Sequence, residues 1–354
     1  MSEEVKKRIY CFDLLKVISI ICVFFHHIMM DLYIVHPMHD LSILSDIILR
    51  PNANLGMIAC GMFILISGAT LALKGREENP IEFYKKRLIR ILIPFYIAYI
   101  ICFVIRVYDA RTFFIFNGVN PIKFIFTIVG MDEYLSANNI TTFSLGVGEW
   151  FLGCIMLCYF IYPFLYKIHK KNKFIVFIIM TMYYLLINYN YDKLNFYIPS
   201  HMNFFCQIYN FYLGIFLIDK EMLSKVNKYL LIITIPIILF FYFYKILIPV
   251  PDNIKTSIVI IAIFIKFYAL EEYISSFRPL ITFTIFFNKI SLEIYLVHHF
   301  IIYQVDFMLS YRALSGFKTL FVIVFDIIMT IMLAFFVELA SRKVTETVNK
   351  CKNK

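Results

Sequence analysis

The sequence predicts an all-α membrane protein, a single bundle of about ten transmembrane helices. Of its 354 residues, 61% are hydrophobic and only 16% are charged, whereas soluble globular chains carry roughly 25% charged residues. Ten apolar stretches approach the roughly 20 residues that a helix needs to cross a bilayer. Basic residues are concentrated in every second connection between these stretches. This pattern excludes a soluble enzyme, and no basic stripe on a soluble fold supports a nucleic-acid-binding protein.

The predicted spans follow from the apolar stretches in chain order. They are residues 12–30, 55–73, 88–106, 148–166, 174–189, 203–219, 229–247, 254–271, 286–304 and 318–340. The N-terminus, the second, fourth and sixth connections and the C-terminal tail are rich in Lys and Arg, which is typical of cytoplasmic segments. Both termini are therefore expected in the cytoplasm. Residues 1–345 form one membrane domain, and a short basic cytoplasmic tail, 346–354, follows it.

The first span, DLLKVISIICVFFHHIMM at 13–30, contains ionisable residues that lipid does not favour. Such residues are costly within a span and mark functional sites. At about 100° per residue, Lys16 and His27 return to within about 20° of one helix face, and Asp13 lies about 40° from His27. His26 points about 100° away from His27, so the two histidines cannot share one task.

This stripe suits a substrate that lies along the helix, with its anionic end near Lys16 and its reactive end near His27. The two residues are about 16 Å apart along the helix axis. Histidine is the side chain best suited to take or give a proton near neutral pH. In the alternative interpretation, His27 bonds a neighbouring helix while Asp13 and Lys16 anchor the span at the membrane interface.

Six short motifs, in order and at the expected spacing along nearly the whole chain, resemble the acyltransferase-3 family of bacterial membrane O-acyltransferases. They are FDLLKVISIICVFFHH, FILISGATLAL, FYKKRLIRILIPFYI, EWFLGCIMLCYFIYPFL, FYLGIFLI and ISLEIYLVHHFII. The resemblance implies ten spans and transfer of an acyl group, usually acetyl from acetyl-CoA, to a carbohydrate on the far side of the membrane.

The resemblance also implies roles for individual residues. The family's basic residue and histidine, with ten residues between them, fall on Lys16 and His27, although the family usually has Arg where this chain has Lys16. His27 would be catalytic together with Lys16 and Asp13, either as a general base or as a carrier of the acyl group. The family's Arg-x-x-Arg signature falls on Arg87 and Arg90, which with Lys16 would bind the phosphates of the coenzyme. Positive-inside anchoring of the third span is the alternative for the two arginines.

Three further residues are predicted to contact the acceptor. Glu149 and Trp150 open the fourth span and His298 lies in the ninth. For Trp150 the first interpretation is an interface-belt residue, and for His298 it is a hydrogen bond between helices. In the Ser67–Gly68 pair, close helix packing is the favoured explanation. No metal is expected.

The sequence therefore predicts a multi-pass protein of the bacterial inner membrane that moves an acyl group, acetyl first, from acyl-CoA to a hydroxyl of a cell-surface polysaccharide or glycolipid. The acyl-CoA, the carbohydrate acceptor and the lipid bilayer are the expected partners. The alternative is a proton-coupled transporter or flippase of a cell-envelope precursor, in which the ionisable residues form a proton relay.

Overall fold

The computed structural model describes residues 8–32, 48, 54–74, 79–218, 228–243, 249–309 and 317–352, and these contain helices but no strands. In chain order the α-helices are α1 (Tyr10–Met30), α2 (Leu55–Lys74), α3 (Pro80–Ala110), α4 (Phe124–Ile128), α5 (Asp132–Ala137), α6 (Glu149–Lys171), α7 (Lys173–Tyr189), α8 (Phe204–Leu217), α9 (Lys228–Phe243), α10 (Asp252–Ala269), α11 (Glu271–Ser276), α12 (Arg278–Lys289), α13 (Ser291–Leu309) and α14 (Phe317–Lys352). The last helix runs without a break through most of the predicted basic tail.

Each predicted span overlaps with one helix or, at 254–271 and 286–304, with two, but the count of ten membrane crossings is not confirmed, and residues 219 and 244–247 of two predicted spans lie outside the described residues. Within the described residues, five helices are long and apolar enough to cross a membrane: α1, α2, α3, α6 and α14. Helix α7 has 17 residues and α8 has 14, so both are shorter than the roughly 20 residues of a typical span. Helix α10 is long enough, but it carries Asp252, Lys255 and Lys266.

The predicted ninth span is a bent pair of helices instead of one straight helix. Helices α12 and α13 meet at Ile290 with an angle of 63° between them, and together they would make a sixth crossing. Two side chains beside the bend hold it in place. Asn288 donates a hydrogen bond across the bundle to Asp13, and the Ser291 hydroxyl donates to the Asn288 carbonyl.

The core brings α2 and α8 into close backbone contact. A Cβ added to Gly68 would lie 2.0 Å from the Phe211 carbonyl oxygen, and one added to Gly214 would lie 1.9 Å from the Leu65 carbonyl oxygen. Only glycine permits this approach, which is the usual role of small residues between membrane helices. The packing explanation for the Ser67–Gly68 pair is thus confirmed at Gly68.

The first helix is fixed at its N-terminal end by a residue far along the chain. Glu271 of α11 accepts hydrogen bonds from the backbone amides of Tyr10 (2.9 Å) and Cys11 (2.7 Å). These amides have no partner within the helix, and a carboxylate at a helix N-terminus also interacts favourably with its dipole. The contact fixes the position of α1 relative to α11, and with it the positions of Lys16 and His27 in the bundle.

We predict that Gly68→Ala destabilises the bundle, because the new methyl group would overlap the Phe211 carbonyl oxygen. Overpacking of this kind costs about 1–3 kcal/mol. Thermal unfolding of the purified protein in detergent should show a lower Tm, whereas Ser67→Ala, on the same turn, should unfold near the wild-type temperature. Equal Tm values for the two variants would contradict the close helix contact.

Candidate active site

Three helices bring their side chains to one buried carboxylate. Glu149, the first residue of α6, is 8% exposed. Its Oε1 lies 3.2 Å from His27 Nε2 of α1 and 3.3 Å from His298 Nε2 of α13. Two residues predicted separately, as catalytic and as acceptor-binding, thus contact the same glutamate. We call His27, Glu149 and His298 the histidine–glutamate cluster.

The backbone that presents Glu149 is strained and is held against α13. Gly148 has a φ of 79° and Glu149 a φ of 41°, a region that non-glycine residues seldom adopt. The Tyr295 hydroxyl donates a 2.8 Å hydrogen bond to the Gly148 carbonyl, and the Gly148 amide donates to the Leu296 carbonyl. Such strain persists where surrounding contacts enforce it, and it is concentrated at functional sites.

His299 is a member of the site that the sequence interpretation missed. Its Nδ1 lies 3.9 Å from Glu149 Oε1, and its ring centroid lies 4.8 Å from that of His27. On its other side it packs against Tyr303, with centroids 4.5 Å apart. One signal in the sequence pointed to it, since the His-His pair of the first span recurs at 298–299.

His26 turns away from the cluster, as the helical spacing predicts. Its ring packs against α2, where a Cβ on Gly56 would lie 2.6 Å from the His26 Cδ2 atom. The absence of a side chain at Gly56 therefore makes room for the imidazole. Neighbouring histidines in the sequence thus occupy different environments.

The predicted cationic residues line a cavity of about 220 Å³ that begins near Lys16. Arg87 and Arg90 of α3 and Lys289 of α12 line it too. Its apolar wall includes Phe151 and Tyr295, whose rings pack 5.0 Å apart between centroids. Tyr295 also packs against His298, with centroids 5.7 Å apart. The cavity thus extends from the cations to the side chains that border the histidine–glutamate cluster, although His27 is not among its lining residues.

A wider groove of about 740 Å³ adjoins this cavity and shares Arg90, Lys289 and Glu293 with it. Basic and acidic side chains both line the groove. Lys289 pairs there with Glu338 of α14, with an Nζ–Oε1 distance of 3.3 Å. This ion pair joins α12 to α14 at the groove.

Asp13 contacts residues that position the N-terminal end of α1. Its carboxylate lies 2.6 Å from Arg8 Nε, accepts a 2.9 Å hydrogen bond from Asn288, and lies 3.9 Å from Lys16 Nζ. His27 is 14 residues further along the helix, about 21 Å at 1.5 Å per residue. Asp13 is therefore beside the cationic end of the site and remote from the cluster.

Trp150 is buried at 9% exposure, which contradicts the interface-belt interpretation. Its ring contacts His201 edge to face, with centroids 6.4 Å apart.

The loop that precedes α6 passes over His299, since a Cβ on Gly146 would lie 3.7 Å from His299 Nδ1. Glu133 holds this loop by accepting hydrogen bonds from the Ser144 hydroxyl and from the amides of residues 145 and 146. Burial raises the pKa of the Glu133 carboxyl, and these hydrogen bonds oppose that rise.

The cluster also has the composition of a metal site. One ligand atom from each of His27, Glu149 and His298 lies within 4.8 Å of the others. The sequence predicted no metal, and that expectation stays untested. An anionic cofactor needs positive charge instead. The basic side chains that line the cavity supply it: Lys16, Arg87, Arg90 and Lys289.

The helical membrane fold and the histidine–glutamate cluster define a class, a polytopic membrane protein with a group of ionisable side chains inside its bundle. The model of the acyltransferase-3 family, described as an acyltransferase domain, matches residues 9–339. The chain therefore belongs to the acyltransferase-3 family. No curated protein and no solved structure matches it. The family membership confirms the resemblance predicted from the six motifs and supports acyl transfer in a membrane as the general activity.

We predict that Gly148→Ala disturbs the turn that carries Glu149. Alanine would be strained at a φ of 79°, and its Cβ would lie 2.8 Å from the Leu152 Cδ2 atom. Gly118→Ala is a matched control, because Gly118 has a φ of 85° but a methyl group added there would have no atom of the described residues within 4 Å.

The left-handed conformation costs roughly 1–2 kcal/mol in either variant. Thermal unfolding should therefore show a lower Tm for Gly148→Ala than for Gly118→Ala. An equal loss in both would mean that the packing of Leu152 against Gly148 does not constrain the turn.

Proposed function

We propose that the protein is a membrane O-acyltransferase that moves an acyl group, with acetyl the first candidate, from acyl-CoA to a hydroxyl of a cell-surface polysaccharide or glycolipid. The observation that carries the proposal is the cavity that joins the cations at Lys16, Arg87 and Arg90 to the border of the histidine–glutamate cluster. A donor with an anionic head and a reactive thioester at the end of a long arm needs this arrangement.

The donor would enter from the cytoplasmic side with its phosphates in the mixed-charge groove. Arg90 and Lys289 border both the groove and the inner cavity. They would therefore lie beside the junction between the donor's phosphate-bearing head and its uncharged arm. Arginine binds phosphates through paired hydrogen bonds, whereas Lys16 supplies a point charge. Asp13 would be a positioning residue, because it contacts Lys16 and lies far from the reacting atoms.

The acyl group would reach the cluster past Phe151 and Tyr295. His27, Glu149 and His298 would together form the site at which the acceptor's hydroxyl is activated, with His27 as the indispensable member. The acceptor would approach from the opposite membrane face, where His299 and Tyr303 pack against each other. Trp150 and His201 lie near that approach and would contact the carbohydrate.

The bent α12–α13 pair is a feature that a transporter would share, because transporter sites often use broken helices. The family match favours the enzyme. Membranes incubated with radiolabelled acetyl-CoA and an acceptor extract should yield labelled glycan. Accumulation of a labelled precursor in vesicles under an ion gradient, with no covalent label, would instead support the transporter.

We predict that His27→Ala abolishes acyl transfer while the protein stays inserted and folded, because the variant lacks the imidazole that contacts Glu149 from α1. The measurement is labelled product per amount of purified protein, with thermal unfolding as a check on the fold. His26→Ala, one residue away and packed against α2, should keep most of the activity. Full activity in His27→Ala would remove this residue from the mechanism.

We predict that replacing both Arg87 and Arg90 by Ala raises the KM for acyl-CoA at least tenfold with a smaller change in kcat. Each lost charge-assisted hydrogen bond is worth about 1.5–3 kcal/mol, and tenfold corresponds to about 1.4 kcal/mol. Steady-state kinetics with varied donor give both constants. Lys343→Ala, an exposed cation of α14 outside the cavity and the groove, should leave the KM unchanged. Equal effects in the two variants would favour membrane anchoring over donor binding.

A further inference from the structure

The contact between His298 and Glu149 brings two hydrogen-bond acceptors together when the imidazole is neutral and the carboxylate is ionised, and a cation shared between them would satisfy both. His298 is fully buried, and its Nδ1 lies 2.9 Å from the Tyr295 carbonyl oxygen and 3.2 Å from the Ile294 carbonyl oxygen. A carbonyl oxygen only accepts hydrogen bonds, so Nδ1 carries the proton. In the neutral ring, Nε2 then presents a lone pair to the Glu149 carboxylate, which is also an acceptor.

Two of the three separations between these atoms are those of neighbouring ligands around a metal ion. His27 Nε2 and His298 Nε2 lie 3.2 and 3.3 Å from the same glutamate oxygen, and all three atoms lie within 4.8 Å of one another. Metal–ligand bonds of about 2.0–2.2 Å in a tetrahedral site place neighbouring ligand atoms about 3.3–3.6 Å apart. Glu149 Oε1 and His298 Nε2 are both buried, and with the proton on Nδ1 the neutral His298 ring offers this oxygen no donor hydrogen.

We propose that His27 Nε2, Glu149 Oε1 and His298 Nε2 bind one zinc ion. Two imidazoles and one carboxylate, with a fourth position left open, form a known ligand set of catalytic zinc. A metal-binding histidine usually donates its other ring N–H to a carbonyl or carboxylate, which fixes the ring. The hydrogen bond from His298 Nδ1 to the Tyr295 carbonyl is such a contact.

The strained turn at Gly148–Glu149 is explained by the same site. Tyr295 supplies both the carbonyl that holds His298 and the hydroxyl that holds the Gly148 carbonyl. One residue therefore positions two of the three ligands. In acyl transfer the ion would polarise the acceptor's hydroxyl at its open position. That role rests on the proposed function, whereas the site rests on the residues alone.

The test is the metal content of the full-length protein, purified in detergent without chelators or metal-affinity resin. Mass spectrometry of the metals should find about one zinc ion per wild-type chain. His298→Gln and Glu149→Gln should each reduce this content at least tenfold. His26→Gln, which changes a histidine of the same bundle that packs against Gly56, should keep the wild-type content.

Cobalt binding gives a second measurement that needs no variant. Wild-type protein stripped with a chelator and then given Co²⁺ should show the visible absorption of tetrahedral cobalt, and added Zn²⁺ should remove it. Folded wild-type protein that contains no zinc and takes up neither ion at about 50 µM would overturn the metal site, whatever the variants show.

The two proposals fail separately. Acyl transfer by protein that binds no zinc would leave the proposed function standing and overturn the metal site. Stoichiometric zinc in a protein that transfers no acyl group would do the reverse.

Discussion

A buried carboxylate that must be compensated is the constraint on which the rest of the site depends. Glu149 lies within an apolar bundle, where an uncompensated charge is very costly. The groups that contact its Oε1 atom are imidazoles from α1 and α13. The glutamate thus fixes the relative positions of three helices that are far apart in the sequence. Its strained backbone conformation is stable because Tyr295 and Leu296 hold the preceding glycine from the same side.

The chemistry of the site is divided along the axis of α1. One end gathers cations around a cavity, and the other end holds the cluster, with Phe151 and Tyr295 between them. This separation has a physical advantage in a membrane. The proposed donor would keep the charges of its phosphate-bearing head near water, where neutralising them costs little, while only its uncharged arm entered the bundle. The buried cluster would then lie in surroundings with little water, where electrostatic interactions are stronger.

The sequence predicted the parts of this site that follow from one helix, and it missed the parts that depend on contacts between helices. Helical periodicity places Lys16 and His27 on one face, and it separates His26 from them. The contact between Glu149 and His27 joins residues that are 122 positions apart in the chain, and no local sequence pattern predicts it. His299 was missed for the same reason, since its role depends on what faces it. The burial of Trp150 also depends on packing between helices, whereas its position at the start of a predicted span suggested a residue at the membrane interface.

The bend at Ile290 explains how a cavity exists in an otherwise close-packed bundle. Helices α2 and α8 pack with their backbones in contact at Gly68 and Gly214. In the predicted ninth span, a 63° angle turns α12 away from the line of α13, and both helices contact α1. Asn288 before the bend contacts Asp13, whereas Tyr295 after it lines the cavity and borders the cluster. Interrupted helices are tolerated at membrane depth where they line a cavity. The bend at Ile290 therefore lets residues 278–309 contribute side chains both to the cationic end of the site and to the histidine–glutamate cluster.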